Sequence, residues 1–130
     1  MEDELKNVTQ IPLSQRTISY IKLQLPELVP KQEDWAKRLN MSVRNLQRQL
    51  NVENTCFNKI LRGERVNLAK KFLKGQVYSV TEISTQLHFS DSSHFIKTFK
   101  QETGFTPKAY QASNRPELKT FKTNLGGLLR

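Results

Sequence analysis

One cysteine, Cys56, is the whole thiol inventory of this 130-residue chain. A lone cysteine builds neither an intrachain disulfide nor a cysteine-rich zinc cluster. Histidine is almost as scarce, with only His88 and His94. Even with Asp91 between them they do not have the spacing of a metal site. The five glycines form no phosphate-cradling loop. No apolar run is long enough to span a bilayer. The opening residues Met1-Glu2-Asp3-Glu4 are acidic and lack the apolar core of a signal peptide. A reducing cytoplasm is compatible with all of this. The last scarcity is negative charge: 12 Asp and Glu against 21 Lys and Arg leave a net charge of +9. Such a surplus points to a polyanion, whether DNA, RNA or an acidic membrane face. Length and a 36% hydrophobic content suit one globular domain or two very small ones sharing an element.

What is present is organised around residues 79–110. Ser79 and Glu82 form an S-x-x-E capping box that opens a helix carrying Val80, Ile83 and Leu87 inward. His88 follows, and a turn there requires a residue that tolerates positive φ, as His, Asn and Asp do better than most. Ser90 is the expected cap of the next helix, with Asp91 placed against its positive end. That helix, about residues 91–103, puts Phe95 and Phe99 on one face and Ser92, Ser93, Ile96, Lys97 and Lys100 on the other. Gly104 stops it, and Thr106-Pro107 reads as a cap followed by proline at the first helical position. Two short helices joined by a tight turn make a helix-turn-helix, whose second helix suits a major groove.

The same pattern occurs earlier. A bracing helix is expected over residues 11–25, with Ile18, Ile21 and Leu25 at helical spacing. Residues 31–39 then read as a helix holding Trp35, Ala36 and Leu39, with Asn40 as the turn residue. Ser42 caps a helix of about residues 42–52, with Val43, Leu46 and Leu50 inward and Arg44, Gln47, Arg48 and Asn51 as an outward polar stripe. Ala36, Leu39, Asn40, Met41 and Ser42 align with Ser84, Leu87, His88, Phe89 and Ser90. After a gain of one residue, the outward stripe aligns with Ser93, Ile96, Lys97 and Lys100. The expected divisions are therefore a frayed start (1–10), a first unit (11–55), a linker helix (56–74), a second unit (75–114) and a mobile tail (115–130). The linker's apolar stripe is Phe57, Ile60, Leu61, Leu68, Phe72 and Leu73. At 1.5 Å per residue it spans about 28 Å, against about 34 Å for one DNA turn.

The second unit resembles the second helix-turn-helix of the AraC/XylS family of bacterial transcription regulators, on Ile83, Phe89, Ser93, Phe95, Phe99, Lys100, Gly104, Thr106, Pro107 and Tyr110. It departs at Ser84, His88 and Gln111, where alanine, glycine and arginine are usual. The first unit is similar to the family's other helix-turn-helix on Ala36, Leu39, Met41, Ser42, Leu46, Gln47, Arg48 and Leu50. The resemblance covers about residues 12–114. It implies an all-α, homeodomain-like fold of AraC type, with two helix-turn-helix subdomains joined by a long linker helix. It also implies a cytoplasmic, nucleoid-associated regulator of promoter DNA that contacts RNA polymerase, usually as an activator, and uses no cofactor. Members commonly carry a separate sensor or dimerisation domain ahead of this module.

The expected base readers are Arg44, Gln47 and Arg48 in the first unit and Ser92, Ser93, Ile96 and Lys97 in the second. Arginine matches guanine O6 and N7 with two parallel bonds, and glutamine can pair with adenine. Ile96 either touches a thymine methyl or packs at the edge of the core. Expected phosphate contacts are Ser42, Asn51, Ser90, His94, Lys100, Thr106 and Lys108. The bland alternative for both stripes is a solvated helix face. Arg65 reads better as a structural ion-pair partner than as a DNA contact. A competing function is a helical protein-interaction module that modulates a partner regulator. An enzyme is disfavoured, because no nucleophile, base or metal set has the required spacing.

Overall fold

The computed structural model describes residues 11–114. The expected frayed start (1–10) and tail (115–130) lie outside the described residues. Within them the chain forms seven helices and no strand: α1 (Leu13–Gln24), α2 (Gln32–Arg38), α3 (Val43–Val52), α4 (Phe57–Gly75), α5 (Val80–Gln86), α6 (Ser92–Thr103) and α7 (Pro107–Ser113). It is the all-α double helix-turn-helix that the sequence patterns call for. The chain clusters into two compact units, Met1–Arg65 and Val66–Arg130, with the division falling inside the 19-residue α4.

The first unit is built on α3, against which both α1 and α2 pack. Leu13, Ile21, Leu25, Ala36, Leu46, Leu50, Phe57 and Ile60 are buried. Fixed polar bonds run through this apolar core. The Thr17 hydroxyl, fully buried, donates to the Leu13 carbonyl at 2.8 Å and accepts from the Trp35 indole N–H at 2.9 Å. Trp35 stacks on Tyr20 with centroids 4.4 Å apart, and the Arg38 guanidinium lies 5.4 Å from the Tyr20 ring. Pro12 precedes α1 and offers no side-chain cap. Glu53, from the end of α3, does that work instead: its carboxylate accepts from the Ser14 backbone N–H at 3.2 Å and from the Ser14 hydroxyl at 2.6 Å. An anion at a helix N-terminus is favoured by the unpaired amides and the dipole there.

The second unit has an aromatic core. Val66, Ala69 and Leu73 of α4 pack with Ile83, Leu87, Phe89, Phe95 and Phe99. Val66 and Ala69 lie outside the expected linker stripe, whereas Leu61, Leu68 and Phe72 from that stripe are only half-buried. Val66, Ala69 and Leu73 take the contact, and Leu68 and Phe72 pack at its margin. Phe95 and Phe99 stand edge to face at 5.9 Å, and Tyr110 of α7 meets Phe99 at 5.5 Å.

Both tight turns have one construction. Asn40 and His88 adopt left-handed backbone, φ 56° and 63°. In the first turn the Asn40 N–H donates to Lys37 O and the Met41 N–H to Ala36 O; in the second, the His88 N–H donates to Thr85 O and the Phe89 N–H to Ser84 O. This is the Schellman closure of a helix C-terminus. Here it recurs at matching positions of the repeat. Asn54 and Gln76 also take positive φ and close α3 and α4.

Thr17→Val keeps the side-chain shape but removes the acceptor of a buried indole N–H. It is expected to cost about 1–3 kcal/mol, measured by urea unfolding with the fluorescence of Trp35, the chain's single tryptophan, as the probe. An unchanged midpoint would show that this bond does not hold the first unit together.

Candidate nucleic-acid interface

Helix α3 starts where its sequence says it should. Ser42 is the N-cap, and its hydroxyl accepts from the Asn45 N–H at 3.0 Å. The inward positions Leu46 and Leu50 are fully buried, so helical geometry turns Arg44, Gln47, Arg48 and Asn51 outward, and all four are exposed. Two of them are held in place. The Arg48 guanidinium donates to Asn45 Oδ1 at 2.7 Å, and the Gln47 amide donates to Gln32 Oε1 at 3.3 Å. Asn45 Oδ1 also accepts from Gln49 at 3.3 Å. Ser42, Arg44, Asn45 and Arg48 line an open hollow of about 480 Å³. Asn45 was missing from the expected site. Its only sequence signal was its position three residues before Arg48, one of the spacings at which helical side chains meet. Tying the long arginine side chain down in advance lowers the entropy it would lose on pairing with a further acceptor.

The second outward helix, α6, differs from expectation at its start. The cap is Asp91 rather than Ser90: the Asp91 carboxylate accepts from the His94 N–H at 2.7 Å. The Ser90 hydroxyl lies instead 3.3 Å from His94 Nδ1. The repeat gains one residue here, which shifts the capping position by one. A carboxylate facing the amides at the positive helix end is at least as good a cap as a hydroxyl. Ser93, His94, Ile96, Lys97 and Lys100 are exposed and Ser92 is half-buried. His94 stands edge-on to Phe89 at 5.4 Å. The capping box is complete, with the Ser79 N–H donating to Glu82 at 3.1 Å and the Glu82 N–H to the Ser79 hydroxyl at 3.1 Å. Thr106 caps α7 by accepting from the Ala109 N–H at 3.1 Å, with Pro107 at the first turn and Lys108 exposed beside it.

Each unit thus presents one helix with an apolar face buried and a face of hydrogen-bond donors open to solvent. The α3 face carries two guanidinium groups, of Arg44 and Arg48, and two primary amides, of Gln47 and Asn51, whereas the α6 face carries ammonium groups, hydroxyls and one apolar side chain, Ile96. Arg65 is not part of either face. It is half-buried in α4, and burial pushes its guanidinium below the ordinary value, which still leaves it charged at any physiological pH. Among the described residues no group of three or more His, Cys, Asp or Glu is placed to hold a metal ion. No described helix is long and apolar enough to cross a membrane.

The helix-turn-helix domain family matches residues 35–113. The urease operon transcriptional activator of Escherichia coli is 30% identical over 111 residues, covering 85% of this chain and 38% of that protein. The transcriptional activator PerA of Escherichia coli O127:H6 is 38% identical over 77 residues, covering 59% of this chain and 28% of that protein. The chain therefore spans well under half the length of these relatives. Among solved structures, a transcriptional regulator with an AraC-type DNA-binding domain from Chromobacterium violaceum superposes with a TM-score of 0.74 at 23% identity, covering 84% of this chain and 97% of that one. The transcriptional regulator CdpR of Pseudomonas aeruginosa gives 0.71 at 25%, covering 76% and 31%.

The capping assignment has a direct check. Asp91→Ala should cost about 1 kcal/mol of stability, while Ser90→Ala should cost less than half of that; urea midpoints of the two variants decide, and the reverse order would return the cap to Ser90.

Proposed function

Because this chain belongs to the AraC-type helix-turn-helix family, we propose that it binds promoter DNA through both units and acts as a transcriptional activator, with α3 and α6 entering adjacent major grooves. The observation that carries the reading is the duplicated device itself. A left-handed turn, a side-chain cap and a helix with an outward polar face occur twice, on a chain of net charge +9. One polar helix face is an ordinary solvated surface. Two at matching repeat positions, on a strongly cationic chain, favour a polyanion with a repeating groove.

In this reading Arg48, Arg44 and Gln47 read base edges, and α3 carries more of the discrimination than α6. Guanidinium and amide groups form the bidentate pairs that distinguish base pairs in the major groove. Ser92, Ser93, Ile96 and Lys97 meet the second groove. Ammonium and hydroxyl groups there serve phosphates as readily as bases. Ser42, Asn51, Ser90, His94, Lys100, Thr106 and Lys108 hold the backbone on either side. RNA polymerase is the expected protein partner, and the bacterial nucleoid the expected place of work. A sensor or dimerisation domain operating with this module belongs to the same proposal, in keeping with the greater length of the relatives. The role is recognition without catalysis.

Anisotropy titrations of duplex DNA at several salt concentrations test the proposal. Log affinity should fall linearly with log salt, by about 0.9 per phosphate contact, and a selected sequence should exceed a random one by about 10³-fold or more. Arg48→Ala should cost about 1–3 kcal/mol on the preferred site and relax the preference at one position. Lys97→Ala should weaken all sequences alike. Salt-independent binding, or none, would favour the protein-interaction reading. A uniform loss for Arg48→Ala with a selective loss for Lys97→Ala would reverse the division of labour.

A further inference from the structure

The two outward helices differ most at one repeat position. Gln47 of α3, an exposed hydrogen-bonding side chain, aligns with Ile96 of α6, which is 37% exposed and makes no hydrogen bond. Ile96 does not stand alone on a polar surface. It opens into a hollow of about 440 Å³, lined by Val80 and Thr81 at the start of α5, Ser92 of α6, and Thr106, Pro107 and Lys108 at the start of α7. Much of this lining is hydrocarbon: the Val80 and Ile96 side chains, the Pro107 ring and the threonine methyls. The Thr106 hydroxyl is already engaged by the Ala109 N–H. One cation, Lys108 of α7, stands in the lining, and Lys97, next to Ile96 in sequence, is exposed on α6.

An apolar hollow with a lysine in its wall, on a chain of net charge +9, suits a small apolar group carried by a polyanion better than it suits an apolar peptide. The major-groove edges of the four base pairs offer one such group, the 5-methyl of thymine; apart from the C5–H of cytosine, the other features there are hydrogen-bond donors and acceptors. We propose that the hollow beside Ile96 is a subsite for the 5-methyl group of a pyrimidine, together with the apolar edge of its deoxyribose. This rests on the DNA-binding reading above and deepens it. The second unit thereby reads methyl where the first reads hydrogen bonds. Two natural bases carry that methyl, thymine and 5-methylcytosine, so the same pocket makes binding sensitive to cytosine methylation.

The test uses the intact chain and a duplex selected from a random library, with its thymidines replaced one at a time by deoxyuridine. That exchange removes only the methyl. At one or two positions within a single block of the site, affinity should fall about fourfold, as expected for one buried methyl-sized group. A C·G pair placed there should bind weakly and recover by a similar factor when the cytosine is 5-methylated. In Ile96→Ala affinity for the thymine duplex should fall, and the thymine-to-uracil ratio at those positions should fall to about one. An unfolding midpoint matching the parent confirms that this exposed substitution leaves the fold intact. Equal binding of thymine and uracil duplexes at every position overturns the proposal, as does an undiminished ratio in Ile96→Ala, which would leave the hollow to a partner's side chain. In both cases a salt-dependent, sequence-selective binder leaves the DNA-binding reading standing. Absence of any duplex binding removes both.

Discussion

The fold depends on two residues being held in a backbone conformation that L-amino acids avoid. Asn40 and His88 both take positive φ, at a cost of about 1–2 kcal/mol for an ordinary residue, and less for short polar ones that bond locally. Each turn offsets this with two backbone hydrogen bonds that satisfy carbonyls left open at the end of the preceding helix. Each such bond contributes about 0.5–1.5 kcal/mol net, so the pair matches or exceeds the strain. The outcome is a sharp, reproducible change of direction. In each unit it releases the chain into a capped helix whose apolar face is already committed to the core. The outward face is then a consequence of geometry, because once Leu46 and Leu50 or Phe95 and Phe99 are buried, the residues between them have nowhere else to point.

Around this shared device the units are stabilised by different chemistry. The first uses polar bonds that cross long stretches of sequence, from Trp35 to Thr17 and from Ser14 to Glu53. Such bonds fix registry, since an unpaired buried indole or hydroxyl is costly. The second relies on ring packing among Phe89, Phe95, Phe99 and Tyr110, where area and edge-to-face geometry carry the stability. Gln111, standing where the family usually has arginine, donates to the Tyr78 carbonyl at 3.3 Å, and its own carbonyl accepts from the Gln76 amide at 3.0 Å. This departure has become part of the internal bonding of the second unit.

Features set by local sequence were legible. The Ser79–Glu82 box, the Thr106-Pro107 start, the turn residues Asn40 and His88 and the exposed stripe of α3 all follow from spacing and residue type within a few positions. Features that depend on distant partners were not. Nothing near Pro12 indicates that Glu53 will cap α1, since the two come together only when α1 packs on α3. The Asp91 cap was misread because Ser90 aligns with Ser42 and the inserted residue moves the cap by one, a shift that only backbone geometry reveals. The expected face of α4 holds at Leu73, whereas Val66 and Ala69 join the contact through helix packing that a stripe of large hydrophobic residues does not single out. Of the candidate site, the positions on each face could be read from the sequence. The preset of Arg48 by Asn45 and the hollow beside Ile96 could not, because both need side-chain coordinates.

The central claim is that one turn-and-helix device, used twice, presents two reading faces to one duplex. Dimethyl sulfate protection of guanine N7 on a selected, guanine-bearing duplex tests it most directly, because that atom lies on the major-groove edge. The account predicts two protected blocks about ten base pairs apart, with the block assigned to α6 lost selectively when Lys97 and Lys100 are both replaced by alanine. A single protected block, or loss of both blocks together in that variant, would contradict it.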